Sequence, residues 1–130
     1  MLDIKTHQKI NNKYCGIPIE LKEGYSKVKL MTINEMVLDE TGLIHGGFIF
    51  SLADYAAMLA INHPFVVLGG ASVKFLRPVK KGEELLAEAF LENIEKKKSV
   101  VNVKIQRKEE LVFNGEFYCY VPNKHVLDGA

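Results

Sequence analysis

The sequence predicts an α+β fold in which a strongly curved antiparallel sheet of about five or six strands wraps around one long apolar helix. Residues 46–62 contain almost no polar side chain, and a helix that is apolar on all sides has to be covered on all sides. The segments that follow alternate apolar and polar residues, as strands do, and short turns separate them. Because short connections favour antiparallel neighbours, the pattern predicts a sheet that wraps the helix.

The strands are predicted in chain order. Residues 25–32 place Ser26, Val28 and Leu30 on one face and lysines on the other, and further strands are predicted at 66–76, 84–95, around 101–105 and at 111–121. Solvated turns are expected at 96–98 and 108–110, and Pro64 is expected to close the helix. Residues 1–24 form an N-terminal extension with a short helix predicted at 4–10.

Length and composition predict a single domain over residues 1–130. A net charge of +1 argues against nucleic-acid binding through bulk electrostatics. The two cysteines, Cys15 and Cys119, show neither metal-ligand spacing nor a disulfide framework, and Cys119 is expected in the core. We therefore expect no metal site at the cysteines and a reducing, cytoplasmic location, and residues 1–5 lack the apolar stretch of a secretory signal.

Residues 43–61 are the one candidate for a membrane span, because they are about long enough to cross a bilayer. His45, two glycines, Ser51 and Asp54 interrupt this segment, and an acid near the middle of a bilayer is unfavourable. The sequence therefore predicts a buried central helix and no membrane association.

Asp54 is the residue of this helix that most needs a reason, because an ionised carboxylate is costly to bury without partners. His45-Gly46-Gly47 precedes the helix and leaves backbone N–H groups open at its start. A carboxylate and open amides are the parts of a site that attacks a carbonyl. The alternatives are that Asp54 is satisfied by Ser51 one turn away, that the glycines only make a tight turn, and that His45 only caps or packs.

The motif from His45-Gly46-Gly47 to Ser51-Leu52-Ala53-Asp54 resembles the signature of the hotdog-fold acyl-CoA thioesterases, and within them the phenylacetyl-CoA thioesterase-like group. Residues 71–83, which include Arg77-Pro78-Val79-Lys80, are similar to a second motif of that family, and the resemblance covers roughly residues 25–121. It implies hydrolysis of an acyl-CoA without a metal or a cofactor, since coenzyme A is part of the substrate. It also implies that Asp54 is the acid, that Gly46 and Gly47 supply the oxyanion-hole amides, and that His45 is the motif histidine.

The resemblance suggests further residues that meet the substrate. Asp39 stands where many relatives carry Asn, and an ionised Asp cannot donate a hydrogen bond. Arg77, Lys80 and Lys81 are candidates for the phosphates of coenzyme A, although they also fit a solvated charged turn. The predicted substrate-binding residues are Asp39, Ser51, Ser72, Arg77, Lys80 and Lys81. Phe48, Tyr55 and Met58 are expected to line a pocket for an apolar or aryl acyl group.

Helix geometry predicts how the site is assembled. Gly46 and Asp54 lie eight residues apart, which is about 12 Å along one helix and too far for both to touch one carbonyl. If both act on one carbonyl they come from different subunits, so a homodimer is expected, and the resemblance implies a dimer of dimers. A second subunit would also cover the open edges of the sheet.

Two other functions fit the same fold. A non-catalytic acyl-CoA-binding sensor would carry a helix-turn-helix ahead of the domain, and the 24 residues before Tyr25 are too few for one. A hotdog dehydratase or hydratase would place a catalytic histidine elsewhere, so the motif around Asp54 argues against it. The thioesterase is therefore the predicted function.

Overall fold

The computed structural model describes residues 1–128 and has a six-stranded antiparallel sheet that curves around one main helix. The sheet has the order β1-β2-β4-β5-β6-β3, so β1 and β3 are its edges. This architecture confirms the predicted hotdog fold. The elements in chain order are α1 (Asn12–Cys15), β1 (Ile17–Lys22), β2 (Tyr25–Met31), α2 (Gly46–Ile61), β3 (Val67–Phe75), β4 (Glu84–Glu95), β5 (Lys98–Arg107) and β6 (Glu110–Tyr120).

The core lies between α2 and the concave face of the sheet. Alternate residues of the central strands point inward and are fully buried, as the sequence predicts, among them Ala87 and Ala89 of β4 and Val103 of β5. Small residues on both the sheet and the helix let the two surfaces approach closely, which suits a sheet that wraps a helix. The buried residues of α2 are Ile49, Leu52, Ala53, Tyr55, Ala56, Ala57, Met58, Leu59 and Ala60.

No helix within residues 1–128 is long and apolar enough to cross a membrane. The apolar character of α2 is explained instead by the sheet around it, so the prediction of a buried central helix is confirmed.

The helix predicted at residues 4–10 is wrong. The helix of the N-terminal region is α1, a single turn that begins after Asn11, whose side chain accepts a hydrogen bond from Lys13 N at 3.0 Å. It ends at Gly16, where φ is 104°, a value that favours glycine. Residues 4–10 contain no helix, because backbone and side-chain bonds hold the start of the chain against the rest of the domain.

The first strand, β1, was missed by the sequence prediction. Ile17, Ile19 and Leu21 alternate as in a strand, but Pro18, which has no backbone N–H, argues against a strand inside a sheet. Proline is tolerated here because β1 is an edge strand. A bulge at Pro18/Glu20 changes the phase of the strand, so Ile17 and Ile19 are exposed while Leu21 is buried.

Helix α2 ends at Ile61 with Asn62 as its C-cap, in agreement with the helix end predicted near residue 62, shortly before Pro64. Asn62 adopts the left-handed conformation with φ 53°, and its N–H donates to Met58 O at 2.8 Å. Its side chain accepts from Lys5 N at 2.8 Å and donates to Asp3 O at 2.9 Å. Asn62 therefore ends the helix and also holds the N-terminal segment, residues 1–16, against it.

Candidate active site

Helix α2 has three sides that meet different surroundings. One side is buried in the sheet. The second, here called the closed side, carries Phe48, Ser51 and Tyr55 and is covered by the N-terminal segment. The third, here called the open side, carries Gly47, Phe50 and Asp54, and all three are partly or largely exposed.

Asp54 lies on the open side with its carboxyl group largely removed from water. Its Oδ1 atom is buried and has no hydrogen-bond partner in the described part of the chain. Burial raises the pKa of Asp54 to about 6, since the ionised form loses hydration and gains no donor. A carboxylate with a pKa near neutrality can accept and return a proton at physiological pH.

Neither Ser51 nor Cys119 donates a hydrogen bond to Asp54. Ser51 does not satisfy Asp54, because its Oγ lies 3.2 Å from Cys15 Sγ on the closed side. That alternative is wrong. Cys119 is fully buried, as expected, and burial together with the charge of Asp54 raises its pKa to about 12, so it remains a thiol beneath the carboxylate.

The start of α2 is held by the loop that precedes it. Ile44 N donates to Val79 O at 2.8 Å, and His45 N donates to Met36 O at 2.9 Å. The Nδ1 atom of His45 accepts from Gly47 N at 2.8 Å, so His45 is the N-cap of the helix. The Gly47 amide is therefore occupied in this structure, while the Gly46 N–H has no partner among the described residues.

The two glycines leave room for different neighbours. A Cβ atom at Gly47 would lie 2.8 Å from His45 Nδ1, so the absence of a side chain there permits the cap. A Cβ atom at Gly46 would lie 3.3 Å from the ring of Phe75, an aromatic residue of β3 that the sequence prediction did not include in the site. Its position directly before the Leu76-Arg77-Pro78 motif was the available signal. The tight turn and the open amide thus coexist at Gly46.

Asp39 lies outside this arrangement. It is exposed, and its Oδ1 accepts hydrogen bonds from the N–H and the hydroxyl of Thr41. These bonds lower the pKa of Asp39. The raised pKa of Asp54 is caused by desolvation, and Asp39 makes no contribution to it.

The remaining predicted substrate-binding residues are distributed over two places. Ser72 pairs with Glu116 on the outer face of the sheet, so within one chain it does not meet Asp54. Lys80 is bridged to Leu43, and Lys81 N donates to Gly42 O at 2.8 Å, which brings both lysines beside the loop that enters α2.

Arg77 is exposed, with its Nε 3.3 Å from Glu110, and it lines a cleft of about 990 Å³ with Arg107. Among residues 1–128 no group of three or more His, Cys, Asp or Glu residues could hold a metal ion.

Two of the residues predicted to line the acyl pocket, Tyr55 and Met58, are buried within the chain, with 3% and 0% exposure. Tyr55 also borders a cleft of about 380 Å³ on the closed side, which His7 and Ile10 line with it. Phe48 is half-buried and packs on Tyr14 of the N-terminal segment.

The fold and the site define a hotdog protein with an acidic residue on its central helix. A family model described as the Thioesterase superfamily matches residues 41–113, which is more than half of the chain, so the chain belongs to this superfamily. The match covers the end of the loop that enters α2, all of α2, strands β3 to β5 and the start of β6.

Two curated relatives illustrate how this domain is distributed. The chain is 51% identical over 117 residues to a methylthioribose-1-phosphate isomerase of Aquifex aeolicus, covering 90% of this chain and 26% of that protein. It is 33% identical over 106 residues to the transcription factor FapR of Halalkalibacterium halodurans, covering 81% of this chain and 57% of that factor. The chain thus spans only part of each relative.

Two solved structures are similar over most of their length. An uncharacterized protein from Pyrococcus horikoshii is 54% identical with a TM-score of 0.96, and 98% of each chain is covered. The PaaI protein from the phenylacetic acid degradation operon of E. coli is 26% identical with a TM-score of 0.77, covering 84% of this chain and 80% of that one. The predicted relation to the phenylacetyl-CoA thioesterase-like group is thereby confirmed at the level of family.

Proposed function

We propose that the protein is an acyl-CoA thioesterase that hydrolyses an acyl- or aryl-acyl-CoA to the free acid and coenzyme A. The observation that carries the proposal is Asp54, whose buried Oδ1 has no partner within the described chain and whose pKa is raised to about 6. An unpaired, half-buried carboxylate lowers the stability of a fold, so its presence on the open side is best explained by chemistry.

In the proposed reaction, Asp54 acts as the general base. Asp54 accepts a proton from water, and the water oxygen forms a bond to the thioester carbon, so that negative charge moves onto the carbonyl oxygen. The carbonyl then reforms, the carbon–sulfur bond breaks, and the leaving thiolate takes the proton from Asp54. Direct attack by the Asp54 carboxylate, followed by hydrolysis of the resulting anhydride, gives the same products.

The Gly46 N–H is the proposed donor to the oxygen that becomes negative. It lies at the start of a 16-residue helix, where unpaired amides and the helix dipole favour negative charge. Gly47 can supply a second donor only when His45 releases its N–H. Each such donor typically lowers a barrier by about 3–4 kcal/mol. The pair of lysines beside the entry loop, Lys80 and Lys81, is the proposed contact for the phosphates of coenzyme A.

The complete site is proposed to form between two copies of the chain. Gly46 and Asp54 are about 12 Å apart along α2, so one carbonyl cannot reach both from the same helix. Within residues 1–128, strand β3 pairs only with β6, and its outer edge, which includes Gly69, Gly70 and Ala71, can pair with a second copy. A homodimer would bring the open side of one copy to the helix start of the other, and the implied dimer of dimers stays a prediction.

A thiol-release assay with a panel of acyl-CoAs tests the reaction. The expected result is release of coenzyme A from at least one member of the panel, and loss of that release in Asp54→Asn. Absence of release from the whole panel would contradict the thioesterase.

A complementation experiment tests the shared site. Asp54→Asn and Gly46→Val each damage one half of a site, and Gly46→Val crowds Phe75 as well as the amide. If the halves come from different copies, refolding the two inactive variants together restores part of the activity. If dimers that contain one copy of each variant form and stay inactive, each copy carries its own site.

An acyl-CoA-binding regulator is the second candidate, because the chain is 33% identical to the transcription factor FapR. A binding domain has no use for an unpaired acid beside the ligand carbonyl, whereas a hydrolase does. Calorimetry separates the two: tight binding of an acyl-CoA with no thiol release over hours favours the regulator.

A further inference from the structure

We propose that Phe75 is the specificity-determining residue of this site and that its ring contacts the acyl group of the substrate. The inference rests on the proposed thioester hydrolysis and assigns the acyl side of the substrate to a side chain of β3. The class of acyl group that this contact favours is flat and apolar.

The ring of Phe75 is exposed but firmly held. Phe75 is the last residue of β3 and is 52% exposed. Its ring packs edge-to-face on fully buried Phe113, with centroids 5.1 Å apart and an interplanar angle of 77°. An exposed aromatic ring supported by a buried one is a pre-organised contact surface, because little side-chain entropy is lost when a ligand packs on it.

The ring borders the space in front of the Gly46 amide. A Cβ atom at Gly46 would lie 3.3 to 3.8 Å from three carbon atoms of the ring. The Cα–Cβ direction in a helix tilts toward the N-terminus, which is also the direction in which the free Gly46 N–H points. A carbonyl oxygen bound about 2.9 Å from that nitrogen therefore places its carbon substituents within contact distance of the ring.

The positions of apolar and charged side chains around the site assign the acyl group and the coenzyme to different ends of it. Leu76, which follows Phe75, is also exposed and apolar, so this wall of the site suits an acyl group. Lys80 and Lys81 lie instead against the loop at residues 42–44 and suit the phosphate-bearing end of the substrate. The two ends of a thioester leave the carbonyl carbon in different directions, so the acyl group is assigned to Phe75 and the coenzyme to the lysines.

Phe90 provides a matched control for substitution of Phe75. It is 40% exposed, and its ring lies 5.1 Å from the ring of Tyr25. Phe90 pairs with Tyr25 between β2 and β4 and points outward, away from α2. Replacing either phenylalanine by leucine removes one exposed ring and one aromatic pair, but only Phe75 borders the helix start.

The test compares kcat/KM of Phe75→Leu and Phe90→Leu for acetyl-CoA and phenylacetyl-CoA, together with the molar mass of each variant. Phe75→Leu is expected to lower kcat/KM for phenylacetyl-CoA about tenfold relative to its effect on acetyl-CoA, the usual size of one lost pocket contact. Phe90→Leu is expected to change the ratio of the two values by less than about twofold. An equal change for both substrates in Phe75→Leu, including a loss that accompanies dissociation of the oligomer, would overturn the inference.

Failure of the proposed function is distinguishable from failure of this inference. If the wild-type protein releases no thiol from any acyl-CoA, hydrolysis is refuted and the contact is measured by calorimetry with phenylacetyl-CoA and free coenzyme A. Weaker binding of phenylacetyl-CoA by Phe75→Leu, with unchanged binding of coenzyme A, supports the acyl contact. Equal affinities of wild type and Phe75→Leu for phenylacetyl-CoA refute it.

Discussion

The two sides of α2 that do not face the sheet differ in how far the rest of the chain covers them and supplies hydrogen-bond partners. On the closed side Ser51 lies beside Cys15, the Tyr55 ring lies 6.4 Å from that of His7, and Asn62 bonds the N-terminal segment twice. On the open side Asp54 has a buried oxygen with no partner in the described chain. One helix therefore carries a side that is completed by its own chain and a side that is not.

The closed side contributes to the stability of the fold, and the open side is the candidate for function. The closed side adds hydrogen bonds and apolar burial, which favour the folded state. The open side holds a carboxylate that opposes folding when it is ionised, together with a free amide at the helix start. Sites that lower stability in this way are expected where chemistry or binding takes place.

Replacing the acid of the open side should give the largest effect. Asp54→Asn is expected to reduce kcat by about 10²–10⁴-fold, the usual contribution of a general base. The same variant should be more stable than wild type at neutral pH by up to about 3 kcal/mol, because the rise of the Asp54 pKa from 3.8 to about 6 opposes folding. Thiol release and urea denaturation measure the two effects.

The matched control is Glu116→Gln, the same type of carboxylate-to-amide change on the exposed outer face of β6. It should leave turnover and the midpoint of urea unfolding unchanged. Full turnover of Asp54→Asn would show that Asp54 is not the base. Loss of both stability and turnover in Asp54→Asn would show that the acid has a structural role.

The pH dependence should follow the raised pKa of Asp54. Because the base acts when ionised, kcat/KM is expected to rise about tenfold per unit below pH 6 and to level off above about pH 7. Stability should move the opposite way. A carboxyl group whose folded pKa exceeds its unfolded value favours folding less as pH rises, so the advantage of Asp54→Asn grows between about pH 4 and 6 and then stays constant.

Activity and urea unfolding measured from pH 4 to 8 give both curves. A kcat/KM that stays flat down to pH 4 would mean that no group with a pKa near 6 acts as the base. Residual activity of Asp54→Asn should lack the inflection.

On the closed side, Asn62→Gly should affect stability and leave activity alone. Glycine keeps the left-handed conformation at φ 53° but removes both side-chain bonds to the N-terminal segment. We expect a loss of about 1–2 kcal/mol in the free energy of unfolding, and faster amide exchange at Lys5.

The kcat of Asn62→Gly should stay within about twofold of wild type. A large loss of turnover in this variant would mean that the closed side also affects catalysis and would contradict the separate roles of the two sides of α2.

The smallest effect is expected at His45, where the structure shows a cap. His45→Ala should lower stability by about 0.5–1 kcal/mol through loss of the bond from Gly47 N, whereas His45→Asn should keep it because Asn is a good N-cap. If capping is the whole role of His45, turnover of His45→Asn stays close to wild type. A strong loss of kcat in that variant, with stability retained, would give the imidazole a part in the chemistry.

Most of the helices and strands could be predicted because the spacing of apolar residues in the sequence follows the period of the element that buries them. The alternation around Val101 and Val103 predicted β5, and the apolar run after Gly46 predicted α2 with its buried side. The sequence prediction failed in two places near the N-terminus. It missed β1, an edge strand that tolerates Pro18. It also placed a helix at residues 4–10, where the bond from Lys5 N to Asn62 overrides the local helical preference.

For the site, the sequence determined that an acid lies in an apolar helix behind a pair of glycines, since these are local facts of composition and spacing. Only the tertiary structure decided that Ser51 turns to Cys15, that His45 occupies the Gly47 amide, and that Phe75 borders Gly46. The physical reason is that partners of a buried polar group come from segments distant in the chain. Whether Asp54 is paired is thus decided by packing and not by its neighbours in sequence.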